Sequence, residues 1–330
     1  MIGKVVEFVK SPVVGLAELK QAEQQGHSHA LARVLMLITS ICWAANIVAG
    51  KVALQSVSAT ALAQFRVTAA AAGFGILWFC RVRTPTLRLK ATEWGTLSIT
   101  AIFGITLNQL CFVGAIGRTS AAHAGLIVAL GPVMVLVLAS AMRLEAFTLM
   151  KSIGTLLALG GVAVLTTGKT ASLSGASLVG DAIMLAGTTV FAYYTVLLKK
   201  IADRYDAFTL NALIFGLGAA FLLPFSLAAV LKVPWRGLPS QAWWCMAFMV
   251  VLGTVVSYLI FVFALAELTA VRVAAFAYLQ PIVAIGLGVW LLREKLTAGV
   301  ALGGVLILCG VYVAEREVGT ERVPAEISTD

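Results

Sequence analysis

Phe112-Val113-Gly114-Ala115, Leu130-Gly131-Pro132, Glu145-Ala146-Phe147-Thr148, Gly154 and Gly161 return 149 residues later. They reappear as Phe261-Val262-Phe263-Ala264, Leu279-Gln280-Pro281, Glu294-Lys295-Leu296-Thr297, Gly303 and Gly310. The offset never slips, so one structural unit has been used twice. Ten apolar runs surround these segments, at about 34–50, 59–80, 94–117, 120–141, 152–168, 182–198, 207–231, 241–264, 273–292 and 296–314. A bilayer crossing takes about 20 residues, and the two runs clipped by Lys51 and Lys199 still cross if those lysines snorkel to the interface. Five crossings per unit is an odd number, so the second unit enters the membrane from the opposite side. The fold predicted is all-α: a polytopic membrane protein of ten transmembrane helices in two inverted five-helix repeats, an arrangement that places a site near the midplane between the halves.

The organisation that follows is a cytoplasmic tail at 1–32, a first repeat at 33–168, a second at 169–314 and a disordered cytoplasmic tail at 315–330. Residues 2–19 set Ile2, Val5, Val6, Val9, Val13, Leu16 and Leu19 near helical spacing, which suits either an interfacial helix or a tail broken at Pro12. Charges interleaved through residues 1–30 argue against a cleaved signal peptide.

Composition agrees with a membrane chain. Sixty per cent of the 330 residues are hydrophobic and 12% charged, and mean hydropathy is +0.98; a soluble domain carries about 25% charged residues. The net charge of +9 does not require a nucleic-acid partner, because the basic residues alternate between loops. With the N-terminus in the cytoplasm, 16 of the 24 Lys and Arg lie in cytoplasmic segments, seven lie outside, and Arg66 sits within a run. That asymmetry puts both termini inside. Cys42, Cys80, Cys111, Cys245 and Cys309 are scattered through apolar runs without a CxxC, and read as small apolar core residues. No HExxH, GxSxG, paired intramembrane aspartates or Cys/His cluster points to an enzyme or a metal. No GxxxxGK[ST] points to a nucleotide pump, and no cofactor is expected.

The chain resembles the drug/metabolite transporter superfamily, in its EamA-type ten-helix form, over residues 33–314. The likeness rests on Trp43 through Lys51, Gln64-Phe65-Arg66, Asn108-Gln109 through Ala124, Gly180-Asp181, Ala192-Tyr193, Lys199 and Ala264-Leu265-Ala266. It rests also on a mid-helix proline followed 13 residues later by glutamate in each half. The resemblance implies a central cavity lined by helices 1–4 and 6–9, and transport of small organic metabolites, often export. The superfamily's small four-helix members use a glutamate in their first helix. Here that helix reads Ile41-Cys42-Trp43-Ala44-Ala45-Asn46, which speaks against the same proton mechanism.

Arg66 lies about 10 Å into helix 2 by helical rise. A charge at that depth faces a cavity or a partner, and a guanidinium fork suits a carboxylate or phosphate. It reads as an anion-binding or gating residue, or as a cap on the exposed carbonyls of a kinked helix. Trp43, Asn46, Asn108, Gln109, Tyr193, Tyr258 and Gln280 are the other substrate-binding candidates, each with a packing alternative. His123 and Asp181, at the outer ends of helices 4 and 6, are candidates for a proton relay; the other reading of His123 is an interfacial residue bonded to backbone. Pro132 and Pro281 are hinge or cavity-shaping positions, or sources of static curvature. Glu145 and Glu294 read as helix-start residues. Gly299-x-x-x-Gly303 offers a close-contact face for a homodimer or for packing within the bundle.

These residues point to a secondary transporter of small organic solutes in the cytoplasmic membrane, with amino acids or related zwitterionic or anionic compounds, exported, as the first reading. A multidrug or cationic-compound exporter and a channel-like facilitator are the alternatives.

Overall fold

A computed structural model describes residues 29–81, 91–142, 175–202, 204–268, 270–293 and 296–315, with helical residues scattered between 149 and 164. The tails at 1–28 and 316–330, Glu145, Glu294 and most of the fifth run lie outside the described residues.

Among the described residues eight helices are long and apolar enough to cross a membrane: α1 His29–Ala53, α2 Ala59–Cys80, α3 Glu93–Ile116, α4 Ala121–Leu138, then, after α5 between 149 and 164, α6 Leu178–Ala202, α7 Ala207–Leu231, α8 Ser240–Glu267 and α9 Arg272–Leu292. A further apolar helix, α10 Ala298–Glu315, follows. The runs that look short in sequence are not short helices. α1 continues past Lys51, and helical backbone before α6 begins at Gly175. A boundary drawn at the nearest charge undercounts a helix whose lysine lies along its own axis.

Each repeat supplies helices to the other. α2 lies along α7, and α4 along α9. The second half of α3 packs on α6, while α8 closes on α1, where Gly253 meets Asn46 and Gly50 meets Met249. The interface between repeats therefore runs through all eight helices. Polar side chains along it find partners: Gln64 donates to Thr68 Oγ1 at 2.6 Å and accepts from Ser226 Oγ at 2.7 Å, and Trp78 Nε1 donates to Thr209 Oγ1 at 3.0 Å. Bonds of this kind contribute about 0.6 kcal/mol each in a membrane interior, so Gln64 joins α2 to α7.

Two glycines of α10 pack within the chain. Gly303 and Gly304 are buried, and a Cβ added to Gly161 of α5 would stand 2.7 Å from Ile307 N and 2.8 Å from Gly303 O. These are backbone atoms and cannot swing aside. Gly161→Ala is expected to destabilise the protein by about 1–3 kcal/mol, read as a lower Tm. Gly160→Ala, with open space beside it, is the neutral control.

The cysteines depart from the reading as core residues. Cys42, Cys111 and Cys245 are half-buried, Cys80 and Cys309 are exposed, and all five are free thiols. In a bundle that faces hydrocarbon, an apolar thiol is as well solvated outside as inside.

Candidate functional site

Seven of the eight long helices line a cavity where the repeats meet, with an empty volume of about 860 Å³ including its open part; α7, expected on the lining, contributes no residue to it. Its wall follows the internal symmetry. Trp43 and Phe191 face each other with ring centroids 5.8 Å apart, and Phe112 and Phe261, Gln109 and Tyr258, and Gly131 and Gln280 are further counterpart pairs on the lining. Symmetry fails in the polar groups. The first repeat contributes Asn46, Arg66, Asn108 and Gln109, whereas the second contributes Thr188, Thr195, Gln280 and the aromatic rings of Phe191, Tyr258 and Phe261, which Trp43 of the first repeat meets at 5.5–6.0 Å.

Two π-helical turns, Ile102–Leu107 in α3 and Val251–Val256 in α8, interrupt their helices at counterpart positions. Each holds a glycine against which the other repeat presses. A Cβ on Gly104 would lie 2.0 Å from the Tyr194 ring, and one on Gly253 would lie 2.6 Å from the Asn46 amide. Tyr194 and Asn46 themselves hold matching places in α6 and α1. A π-turn leaves a backbone carbonyl out of the regular ladder, and such turns gather at functional sites.

Arg66 spends its donors on the α8 π-turn. Its Nε donates to Thr254 Oγ1 at 2.7 Å and its Nη2 to Gly253 O at 3.0 Å. With the amide oxygen of Asn46 turned toward it, Nη1 and Nη2 also donate there at 3.2 and 3.3 Å. The guanidinium lies 5.5 Å from the Phe112 ring centroid. Arg66 is 3% exposed, so this is a buried cation held by neutral acceptors. Among the described residues no carboxylate pairs with it, and one Nη1 hydrogen of its five has no acceptor. The carbonyl-capping role and the cavity position, alternatives in the sequence, coexist.

Gln109 bonds Tyr258 through its side chain, and its Oε1 is buried without a partner among the described residues. Asn108 Nδ2 reaches Gly187 O at 3.4 Å, a long bond that leaves the amide available to the cavity. Trp43, Asn46, Arg66, Asn108, Gln109, Tyr258 and Gln280 all line the cavity. Tyr193 does not. Its ring packs on Phe103 at 4.8 Å, because Phe191 and Thr195, one turn apart, take the inward face of α6 and Tyr193 falls between them. Phe112, Phe191 and Phe261 were not read as lining residues, although two of them belong to the repeated motif.

Pro132 and Pro281 do interrupt their helices, each about one turn upstream. α4 breaks at Ala129–Leu130 and α9 turns 3-10 over Phe276–Tyr278. Proline removes its own N–H and displaces the carbonyl four residues before it, here those of Val128 and Ala277, and both residues line the cavity. Pro132→Ala is expected to restore the α4 ladder and to slow transport about tenfold or less without loss of fold, measured as uptake rate beside far-ultraviolet circular dichroism.

His123 and Asp181 lie apart from the cavity. His123 does not bond backbone through its ring; its Nδ1 lies 2.9 Å from Asp181 Oδ2. Asp181 does not mark the start of its helix at the interface. It lies more than a turn beyond Gly175 and is 3% exposed. A clamp repeats at both ends of the bundle: Lys51 Nζ donates to Thr119 O and Lys199 Nζ to Leu265 O, each at 2.5 Å.

Comparison with known proteins places this geometry. The EamA-like transporter family model matches twice, over residues 30–167 and 178–315. An uncharacterized transporter of Archaeoglobus fulgidus is 28% identical over 283 residues, covering 85% of this chain and 96% of that one. The uncharacterized transporter YvbV of Bacillus subtilis is 27% identical over 247 residues, covering 74% and 78%. One crystal structure superposes with a TM-score of 0.63 at 17% identity, covering 86% of this chain and 96% of the other, a likeness of fold.

Proposed function

The chain belongs to the EamA-like transporter family, and we propose that it is a secondary transporter of small carboxylate-bearing metabolites, working by alternating access between its two repeats. Amino acids and related zwitterionic or anionic solutes are the substrates favoured, moved outward across the cytoplasmic membrane with both termini inside. The observation that carries this reading is Arg66: a buried guanidinium on a cavity wall, bound only to neutral acceptors, is completed by an anion from outside the chain. Charge-assisted bonds of a guanidinium to a carboxylate are about twice as strong as neutral ones. The unpartnered Gln109 Oε1 supports a donor on the same solute, such as an ammonium group. The aromatic face opposite suits its carbon skeleton.

The test is differential profiling of the medium from cells overproducing the wild type, Arg66→Gln or no transporter. A carboxylate solute enriched by the wild type alone is the expected result. Equal enrichment by wild type and Arg66→Gln would remove the arginine from the substrate site. The aromatic wall favours a second reading, an exporter of lipophilic or cationic compounds. It requires broad resistance that survives loss of Arg66, since a fixed positive charge repels cations.

A further inference from the structure

At one end of the bundle three elements meet around a single acid. Thr119 Oγ1, in the α3–α4 turn, donates to Asp181 Oδ1, and His123 Nδ1 lies 2.9 Å from Asp181 Oδ2. The turn is fixed from α1 by Lys51 Nζ on Thr119 O at 2.5 Å, and capped by Ser120, whose Oγ accepts from His123 N at 2.9 Å. α6 comes close because residue 180 is glycine; a Cβ there would stand 2.8–2.9 Å from Arg118 and Thr119, two of those atoms backbone. His123 is 5% exposed and Asp181 3%. Both carboxylate oxygens accept, so Nδ1 carries its hydrogen and Nε2 is the nitrogen that gains or loses a proton.

Among the described residues the other end has no buried imidazole–carboxylate pair. The counterpart of His123 is Arg272, which is exposed, and that of Thr119 is Leu268. Only the lysine clamp is shared. Among the described residues, one end of the bundle thus buries an imidazole–carboxylate pair and the other does not. Among the described residues the charged groups facing that pair are Lys51 from α1, held on Thr119 O, and Arg118 from the turn, exposed and held on Gly114 O at 2.6 Å. From α9 the surface against α4 presents Gln280, Pro281 and Ala284 to Gly125, none of them titratable.

We propose that His123 and Asp181 are the proton-binding site of this transporter, and that a proton on His123 Nε2 latches this end of the bundle shut. The inference rests on the alternating-access reading above. With the proton bound, the buried pair is an imidazolium and a carboxylate and carries no net charge. Without it, the shut end buries a carboxylate that has lost its imidazolium partner while Lys51 stays held on Thr119 O, an arrangement that a low-dielectric interior disfavours. Opening returns Asp181 to water and releases the proton from Nε2 to water. Closing at this end therefore takes up one proton, and opening gives it back, which ties the access change to a proton gradient.

The test needs no solute. Wild-type protein in lipid nanodiscs is followed by hydrogen–deuterium exchange, corrected for intrinsic rates, between about pH 5.5 and about pH 8, a span that brackets imidazole titration. Protection of residues 118–123 is expected to fall about tenfold as pH rises. In His123→Gln, which keeps a side-chain donor for Asp181, protection is expected not to vary with pH. A flat wild-type profile, or the same fall in His123→Gln, would overturn the proposal. A second measurement guards against misfolding of that variant. In His27→Gln/His29→Gln protein with nitrogen-15 histidine, the single ring is expected to pass from imidazolium to the Nδ1–H tautomer over the same interval, and a ring that never changes form would overturn it. Flat exchange beside intact, Arg66-dependent transport would remove the proton site alone.

Discussion

Arg66→Gln is expected to lower transport by about 30-fold or more, while the protein still folds. Truncating one partner of a buried, hydrogen-bonded charge pair costs about 2–5 kcal/mol, and tenfold corresponds to about 1.4 kcal/mol. Glutamine retains one amide group that can reach Gly253 O or Thr254 Oγ1, so the π-turn keeps part of its support. What it cannot keep is the charge. Arg66→Lys separates the two roles of the residue. An ammonium preserves the charge but not the planar fork that touches Thr254, Gly253 and Asn46 at once, so transport is expected to fall with affinity affected more than maximal rate. The measurement is initial uptake over a range of solute concentrations. A variant with unchanged KM and rate would mean that Arg66 only props α8.

Gly104→Ala is the second large effect. Its Cβ would enter the ring of Tyr194, three of whose atoms stand 2.0–2.6 Å away. Tyr194 is fully buried, so the ring cannot leave, and α3 must part from α6. The cost is about 1–3 kcal/mol in stability, and transport is expected to drop below about a tenth of wild type because the contact sits on the seam between the repeats. Gly95→Ala, in the same helix with nothing within 4 Å, is expected to be neutral or slightly stabilising, as helix propensity alone would have it. The double variant Gly104→Ala/Tyr194→Ala reopens space and is expected to recover part of the Tm. Equal Tm and transport for Gly104→Ala and the wild type would show that α3 and α6 are not tightly constrained there.

Much of this architecture is written in the 149-residue offset. It carries the doubling, the prolines and two of the three lining phenylalanines, because two units packed about a pseudo-two-fold axis place equivalent residues equivalently. Extended eight residues back from Phe112 and Phe261, the same offset pairs Gly104 with Gly253, a signal that could have located the π-turns. The turns themselves are illegible: a one-residue slip in hydrogen-bond register leaves apolar side chains apolar, and periodicity does not see it. Asp181 looked interfacial because a hydropathy boundary stops at the first charge, whereas the helix starts at Gly175. Its partner His123 is 58 residues away, and nothing local joins them. Tyr193 shows the remaining limit. Three consecutive aromatic or small residues in α6 fit a cavity equally well by composition, and only the packed rotation of the helix selects Phe191 over Tyr193.

The most direct measurement is counterflow in liposomes containing the purified protein, with the carboxylate solute identified by profiling the medium. The account predicts saturable exchange of labelled for unlabelled solute by the wild type, lost by about 30-fold or more in Arg66→Gln. Flux that rises linearly with concentration, without counterflow, or counterflow equal in the two proteins, would contradict it.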